Sequence, residues 1–353
     1  MKIYQKYIIV KYLKNFFIVL FALELFYVGI DLLTTYQKLP KSANLQILYI
    51  MFQSMYAINY VLPLSVIFAM IITVVSMVKT NELVSMLSFG ISKQQLIKPL
   101  FITSVVITIF YIFLNFTSFA YAREYSNNIL KFGNISSSTE DLLLKNNENY
   151  VYFKKLNPIE KKATDIKIFK VKNRDLVSII EAKEGYYKGK NWILYKVKKI
   201  TKSKVLNLDS KGLSIEKFSK IEALKDFRPK IIDNVYKGKF NLSILDAIDA
   251  LKFFNSQDLD TNRLRTIILS QIFLPLFAPL LCLVFFSRIP LISRYNNTIL
   301  LSTYLAFISI FVWGILFLLS KLALNAVIYP ELAIIFPIVI LGVVSLNSYY
   351  KKQ

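Results

Sequence analysis

The stretch YAINYVLPLSVIFAMIITVVSMV, Tyr56 to Val78, contains no charged residue, and about 20 apolar residues in a helix suffice to cross a hydrocarbon core of roughly 30 Å. Reading it as a membrane helix governs the rest of the chain. Five more runs of the same kind surround it: Asn15 to Thr35, Pro99 to Tyr121, Thr266 to Phe286, Thr298 to Leu319 and Val327 to Asn347. Over the 353 residues 55% are hydrophobic and the mean hydropathy is +0.48, values that argue against a water-soluble enzyme. The first run follows a long charged lead, carries acids and has no small-x-small cleavage site, so it is expected to stay as a membrane helix.

Between the third and fourth runs, Ala122 to Arg265 is polar and long enough for one folded domain. The predicted organisation is therefore three helices over 1–121, a domain over 122–265 and three helices over 266–353. The fold class is an α-helical membrane protein with six transmembrane helices and an inserted all-β domain. Tyr150 to Leu156, Asp165 to Val171, Leu176 to Ala182 and Trp192 to Ile200 are rich in Val, Ile, Tyr and Phe, often alternating with Lys, and read as strands. Asn157-Pro158, Asn173-Arg174-Asp175 and Gly189-Lys190-Asn191 supply turns, which points to a sandwich, a jelly roll or an open barrel. Val151, Phe153, Ile166, Ile168, Ile179, Ile193 and Tyr195 are the expected inward positions. From Ser243 to Asn255 the period becomes helical, with Ile244, Leu245, Ile248 and Leu251 on one face and Ser243 as N-cap, which predicts an amphipathic helix on the membrane surface.

Lys and Arg total 44 against 22 for Asp and Glu, a net charge of +22. Such a balance suits nucleic acid, an anionic membrane surface or a phosphate-bearing substrate, and the hydropathy favours the membrane readings. Among short flanks, Lys2, Lys6, Lys11, Lys14, Lys79, Lys93, Lys98, Arg288, Arg294, Lys351 and Lys352 fall on one side, against only Lys38, Lys41 and Lys321 on the other. The positive-inside rule then places both termini in the cytoplasm and the domain outside, which in a bacterium is the periplasm.

The chain has no His and one Cys, Cys282, so imidazole bases, His metal ligands and an intrachain disulfide are excluded. Gly185 to Asn191 approaches a phosphate-binding loop but lacks a spacer and ends in Asn where Ser or Thr is needed. No catalytic residue, metal site or cofactor is expected. Glu24 and Asp31 stand inside the first run, where an ionised acid at a helix centre costs about 2.5 to 3.5 kcal/mol. If the helix continues, Glu24, Asp31 and Lys38 share one face, which lines either a substrate path or a helix interface, or in which Asp31 simply reaches the outer headgroups while Glu24 pairs with a neighbour. Lys38, Lys41 and Lys321 are candidate outer-rim cations or interfacial snorkels. In the loop after Val78, Asn81 is placed to cap a short helix, Glu82 suits its positive end, Leu83, Met86 and Leu87 form an apolar stripe, Gly90 stops it, and Ser92 with Gln95 restarts the chain.

Asn81-Glu82-Leu83-Val84-Ser85-Met86 through Phe89-Gly90-Ile91-Ser92 resembles the loop of the LptF/LptG (YjgP/YjgQ) permeases, and the spans, domain size and basic tail match along nearly the whole chain. Leu242 to Phe254 with Gln271 and Pro275 resembles the G-type subunit more than the F-type. The resemblance implies an inner-membrane permease of an ABC transporter that takes lipopolysaccharide from the membrane and passes it to periplasmic jelly-roll domains. Implied partners are a separate cytoplasmic ATPase, a second similar permease, a membrane-anchored periplasmic bridge protein, lipopolysaccharide and membrane lipids, with no nucleic acid. It carries the role of ATPase coupling onto Glu82, Leu83, Met86, Leu87 and Gly90, in a coupling helix over about 81–91. Family members often place basic residues at the outer end of span one, where this chain has Asp31, with Lys38 and Lys41 further out. The rival readings are a non-transporting receptor or scaffold and a mechanotransmitting ABC-type membrane protein.

Overall fold

A computed structural model describes residues 2–135, 138–146, 149–158, 160–172, 175–189, 191–202, 212–225, 227–229, 242–255, 260–290 and 297–350. The turn residues Asn173, Arg174 and Lys190 and the flanking cations Arg294, Lys351 and Lys352 lie outside the described residues. Two compact units emerge: Met1–Ser126 with Leu242–Gln353, and Asn127–Asn241.

In the first unit, among the described residues, six helical segments are long and apolar enough to cross a membrane. Their ends are set by capping hydrogen bonds rather than by the limits of the apolar runs. Helix α1 (Ile3–Thr35) starts where the Lys2 N–H donates to Gln5 Oε1 at 3.0 Å. Helix α2 (Ala43–Lys79) starts well before Tyr56, because Asn44, Gln46, Gln53 and Ser54 interrupt hydropathy without interrupting the backbone ladder. It is the central helix, burying Val66, Ala69, Met70, Thr73, Val74 and Met77. Helix α3 (Glu82–Ser88) and helix α4 (Lys93–Leu114) follow. The third span thus ends at Leu114 rather than Tyr121: Asn115 folds its amide back to the Tyr111 carbonyl at 3.0 Å, and Thr117 caps a 3-10 turn over Ser118–Tyr121. Helix α5 (Ala122–Phe132) leads away from it.

Helix α6 (Ile244–Asn255) begins at Ser243, whose Oγ accepts from the Asp246 N–H at 3.2 Å. Its buried face is Ile244, Ala247, Ala250 and Phe254, whereas Leu245 is 53% exposed. The expected stripe of Ile244, Leu245, Ile248 and Leu251 is therefore rotated. The physical reason is close packing on protein: Ile244 N donates to the Asn115 carbonyl at 3.1 Å, Gln271 Nε2 donates to the Leu242 carbonyl at 2.9 Å, and Tyr121 donates to Asp246. Two alanines let the helix approach its neighbours. Span four is also not continuous, since α7 (Asn262–Ile272) and α8 (Phe277–Arg288) are joined by a 3-10 turn over Leu274–Leu276. Pro275 has no N–H to give to the ladder. Helix α9 (Thr298–Leu324) is capped by Asn297, and a π-turn over Glu331–Ile335 precedes α10 (Phe336–Tyr350). Exposed apolar residues run along α1 (Phe17, Phe21, Leu25), α9 (Phe307, Phe311) and α10 (Val339, Val343), the surface a bilayer would cover.

The second unit is an antiparallel sheet of β1 (Thr139–Asn146), β2 (Asn149–Asn157), β3 (Lys162–Lys172), β4 (Asp175–Lys188), β5 (Asn191–Thr201) and β6 (Ser214–Ala223), paired in chain order. The all-β reading holds, with a meander order and no Greek-key crossover among the described strands. Alternation slips by one residue at the same rung of five strands. Thr139 and Leu142, Phe153 and Leu156, Ala163 and Ile166, Ala182 and Gly185, and Leu194 and Val197 are buried, each pair enclosing two residues that point outward together. Asp141, Asp165 and Lys196 on alternate strands hold left-handed φ values of 53°, 49° and 53°, which lets the strand advance without turning a side chain over. The result is a crease across the sheet. On its apolar side the Trp192 indole donates to the Phe227 carbonyl at 2.6 Å and lies 5.3 Å from the Phe153 ring. Val151, Phe153, Ile166 and Ile168 are inward as expected, but Ile179, Ile193 and Tyr195 are not: Trp192, Leu194 and Val197 set the inward phase of β5, and Ser178 and Ala182 that of β4.

Candidate functional site

Two groups of candidate side chains lie in the helical unit, near opposite ends of α1. At its N-terminal end α3 sits across the α2–α4 connection. Its stop is a Schellman motif, with Ile91 N on the Met86 carbonyl (3.2 Å), Gly90 N on the Leu87 carbonyl (2.9 Å) and Gly90 at φ 80°. The restart is the predicted box, Gln95 N to Ser92 Oγ at 3.3 Å and Ser92 N to Gln95 Oε1 at 3.2 Å. Asn81 differs: it holds the N-cap position at φ 56° with no side-chain cap bond, and its carbonyl accepts from Ser85 N instead.

The carboxylate of Glu82 is the hub. Lys11 Nζ lies 2.8 Å from both of its oxygens, Tyr7 donates at 2.9 Å and Thr80 at 2.7 Å. Partial burial pushes the carboxyl up, but the hydrogen bonds from Lys11, Thr80 and Tyr7 together hold it below the ordinary carboxylate range. Leu83, 1% exposed, enters the helical core, and Met86 and Leu87 are half-buried against it. The predicted stripe is thus partly spent on holding α3 to its own unit. Phe89, 82% exposed, is the large apolar side chain this segment leaves in the open, and sequence reasoning had read it only as part of the loop pattern.

Near the other end of α1, Asp31 accepts from Tyr49 of α2, and Glu24 lies beside Ser54. The α-helix stops at Thr35, whose hydroxyl bonds the Asp31 carbonyl at 2.7 Å, and Tyr36–Lys38 form a 3-10 turn. Lys38 therefore leaves the face that a continued helix would have shared with Glu24 and Asp31. Both Lys38 and Lys41 are exposed. The Lys321 ammonium stands 5.1 Å over the Phe317 ring, and Phe317 belongs to an aromatic group with Trp313, Tyr60 and Tyr27. Tyr56 and Tyr60 share a hydrogen bond of 2.6 Å.

The cation that sequence reading missed is Arg123. Its guanidinium lies 4.7 Å over the Tyr56 ring and 3.4 Å from Gln53 Oε1, while the buried Gln53 Nε2 has no partner. Arg123 was hidden by being counted with the polar segment after span three; its place just past that span's end is the signal that identifies it. An arginine and a lysine against a belt of aromatic rings can grip an anionic headgroup while the rings take up the apolar part.

No match is found among the curated proteins. A family model described as lipopolysaccharide export system permease LptF/LptG matches residues 6–351. Six apolar helices, an inserted antiparallel β unit and the α3 loop lie within that match, and the chain is thus a multi-pass membrane protein that belongs to the LptF/LptG family of lipopolysaccharide export permeases.

Proposed function

We propose that this chain is the permease subunit of an ABC transporter that extracts lipopolysaccharide from the bacterial inner membrane and hands it to a periplasmic bridge protein carrying a membrane anchor. A separate cytoplasmic ATPase hydrolyses ATP, and a second permease of the same family completes the membrane cavity. Both termini are cytoplasmic and the β unit is periplasmic, in line with the lysines at Lys2, Lys6, Lys11 and Lys14. The G-type assignment rests on the Leu242 to Phe254 segment and Gln271, which bonds the Leu242 carbonyl.

The observation that carries this reading is the tie between α3 and α1 through Glu82 and Lys11. A helix laid across the connection of α2 and α4 and fastened to the first span is what a docking ATPase needs to move a membrane helix. In this reading Leu83 seats α3, Glu82 fastens it, Gly90 ends it, and Met86, Leu87 and Phe89 meet the partner's groove. Glu24, Asp31, Lys38, Lys41, Lys321 and Arg123 line the path of the lipid.

Affinity purification of the tagged chain from its own membranes tests the assignment. A soluble ATPase, a second six-span permease and bound lipopolysaccharide are expected to come with it. Leu87→Asp, Glu82→Lys or Phe89→Asp should lose the ATPase while membrane insertion is kept. Full recovery of the ATPase with all three variants would overturn the coupling role.

A further inference from the structure

The outward face of β2 to β5 at the crease holds a hollow of about 580 Å³, within the roughly 300 to 1,000 Å³ of small-ligand sites. Two rungs line it. Tyr152, Lys167, Glu181 and Lys198 are successive cross-strand partners. Lys154, Asp165, Lys183 and Lys196 occupy the neighbouring rung, where the ladder skips a pair on each strand. Asp165 and Lys196 are two of the three left-handed residues of the crease, so the same backbone feature that bends the sheet also shapes the hollow.

Five lysines meet two carboxylates here, and the carboxylates are taken: Lys154 lies 3.6 Å from Asp165 and Lys167 lies 3.4 Å from Glu181. Elsewhere on the sheet Lys155 and Lys199 also have acids, Glu140 and Glu216. Lys183, Lys196 and Lys198 have no carboxylate within 4 Å among the described residues. Lys183 faces Lys196 across the skipped rung, and Lys198 is paired with Lys217 of β6. Like charges directly opposed weaken a sheet. A general excess of lysine would spread such pairs at random; here two of them adjoin one concave site, where a charge of one sign is focused.

Tyr152 forms the other wall, its hydroxyl donating to Asp141 at 2.5 Å. Two strand spacings of about 4.8 Å put it about 10 Å from β4, with the outward side chains Asp165 and Lys167 of β3 as the floor over which a sugar ring would lie. We infer that this hollow binds a phosphorylated saccharide, with phosphate on Lys183, Lys196 and Lys198 and the sugar over Tyr152. The inference rests on the glycolipid reading and deepens it: the β unit would hold the phosphorylated sugar on the face opposite its apolar side.

The test is titration of the purified full chain, in uncharged detergent at 0.15 M salt as a working choice of about physiological strength, with glucosamine 6-phosphate. Saturable binding is expected, with unphosphorylated glucosamine failing to compete. Binding should weaken at least tenfold in Lys183→Gln/Lys196→Asn/Lys198→Gln and in the single Lys183→Glu, which leaves the left-handed Lys196 untouched. Lys155→Gln/Lys199→Gln should bind as the parent does. The inference is overturned by equal binding in parent and both hollow variants, by inorganic phosphate binding as tightly as the sugar phosphate, or by capture of phosphatidylglycerol vesicles through these lysines without sugar-phosphate binding. No ATPase or second permease is in the assay, so its failure leaves the coupling role standing, and loss of the coupling role leaves this result standing.

Discussion

Replacing Glu82 by Gln keeps the side chain's size and removes the charge that fastens α3 to α1. Lys11 Nζ contacts both carboxylate oxygens at 2.8 Å, and the two side chains retain only 21% and 25% of their exposure. Exposed ion pairs contribute about 0.2 to 1 kcal/mol; this two-oxygen, largely shielded pair belongs at the upper end, about 1 kcal/mol. That is roughly a fivefold change in local opening. Hydrogen exchange at the α3 amides, whose first bond is Ser85 N to the Asn81 carbonyl, reads that opening directly. Glu82→Gln and Lys11→Met should each speed it about fivefold, and the double variant should be no faster than the faster single, giving a coupling of about 1 kcal/mol. The pH dependence has a fixed sign. Because the folded state holds the Glu82 carboxyl below its ordinary 4.5, the fastening is complete above that value and is lost as the pH falls through the depressed one. Additive effects of the two single variants, or unchanged exchange in both, would refute the fastening role.

Two further outcomes follow from the geometry. Gly185→Ala places a Cβ 2.4 Å from Ile166 Cδ1 and 3.0 Å from Leu194 Cδ2, so the β unit should lose about 1 to 3 kcal/mol, read as a lower denaturant midpoint with an unchanged slope. Arg123→Gln removes the guanidinium over Tyr56; a photo-crosslinker at Asp31 should capture glycolipid in the parent and markedly less in the variant, and labelling no stronger than at the exposed Phe17 in either protein would remove this cluster from the lipid path.

The six spans were legible because a run such as Tyr56 to Val78 has one physical solution in lipid, and Gly90, Ser92 and Gln95 announced their caps through side-chain chemistry. Helix ends were less legible. Ala43 lies far outside its apolar run, and Pro275 broke a span that hydropathy reads as continuous. Strands β2 to β5 showed their β-branched and aromatic residues, whereas β1, reading TEDLLLKN, and β6, exposed along nearly its whole length, gave no such pattern. The slip at the crease is visible once known, as two consecutive outward residues in VYFKKL, ATDIKI and LYKV; strict period-2 counting through it assigned Ile193 and Tyr195 to the wrong face. Arg123 and the lysines of the hollow escaped because only the fold brings α5 beside α2 and aligns four strands at one rung.

Under the proposed function α1 is the element that joins the two sites. Lys11 and Asp31 are 20 residues apart on one uninterrupted helix, about 30 Å at 1.5 Å per residue, which is the thickness of a hydrocarbon core. Its packing is uneven along that length. Ile8, Tyr12 and Phe16 are buried in the half near α3, where the Tyr12 hydroxyl donates to the Val66 carbonyl at 3.0 Å and Asn15 donates to Thr73 at 2.8 Å. In the other half only Val28 is buried, and Leu25, Phe26 and Leu33 stand exposed. Repacking the first half costs buried contacts and hydrogen bonds, while displacing the second gives up the Tyr49–Asp31 and Ser54–Glu24 contacts and the Tyr27–Tyr60 stack and otherwise exchanges lipid for lipid. A push on α3 is therefore delivered to a helix seated in the core at one end and held by a few polar and aromatic contacts at the other. That lightly held end is the one that carries Glu24, Asp31 and the Tyr27 ring.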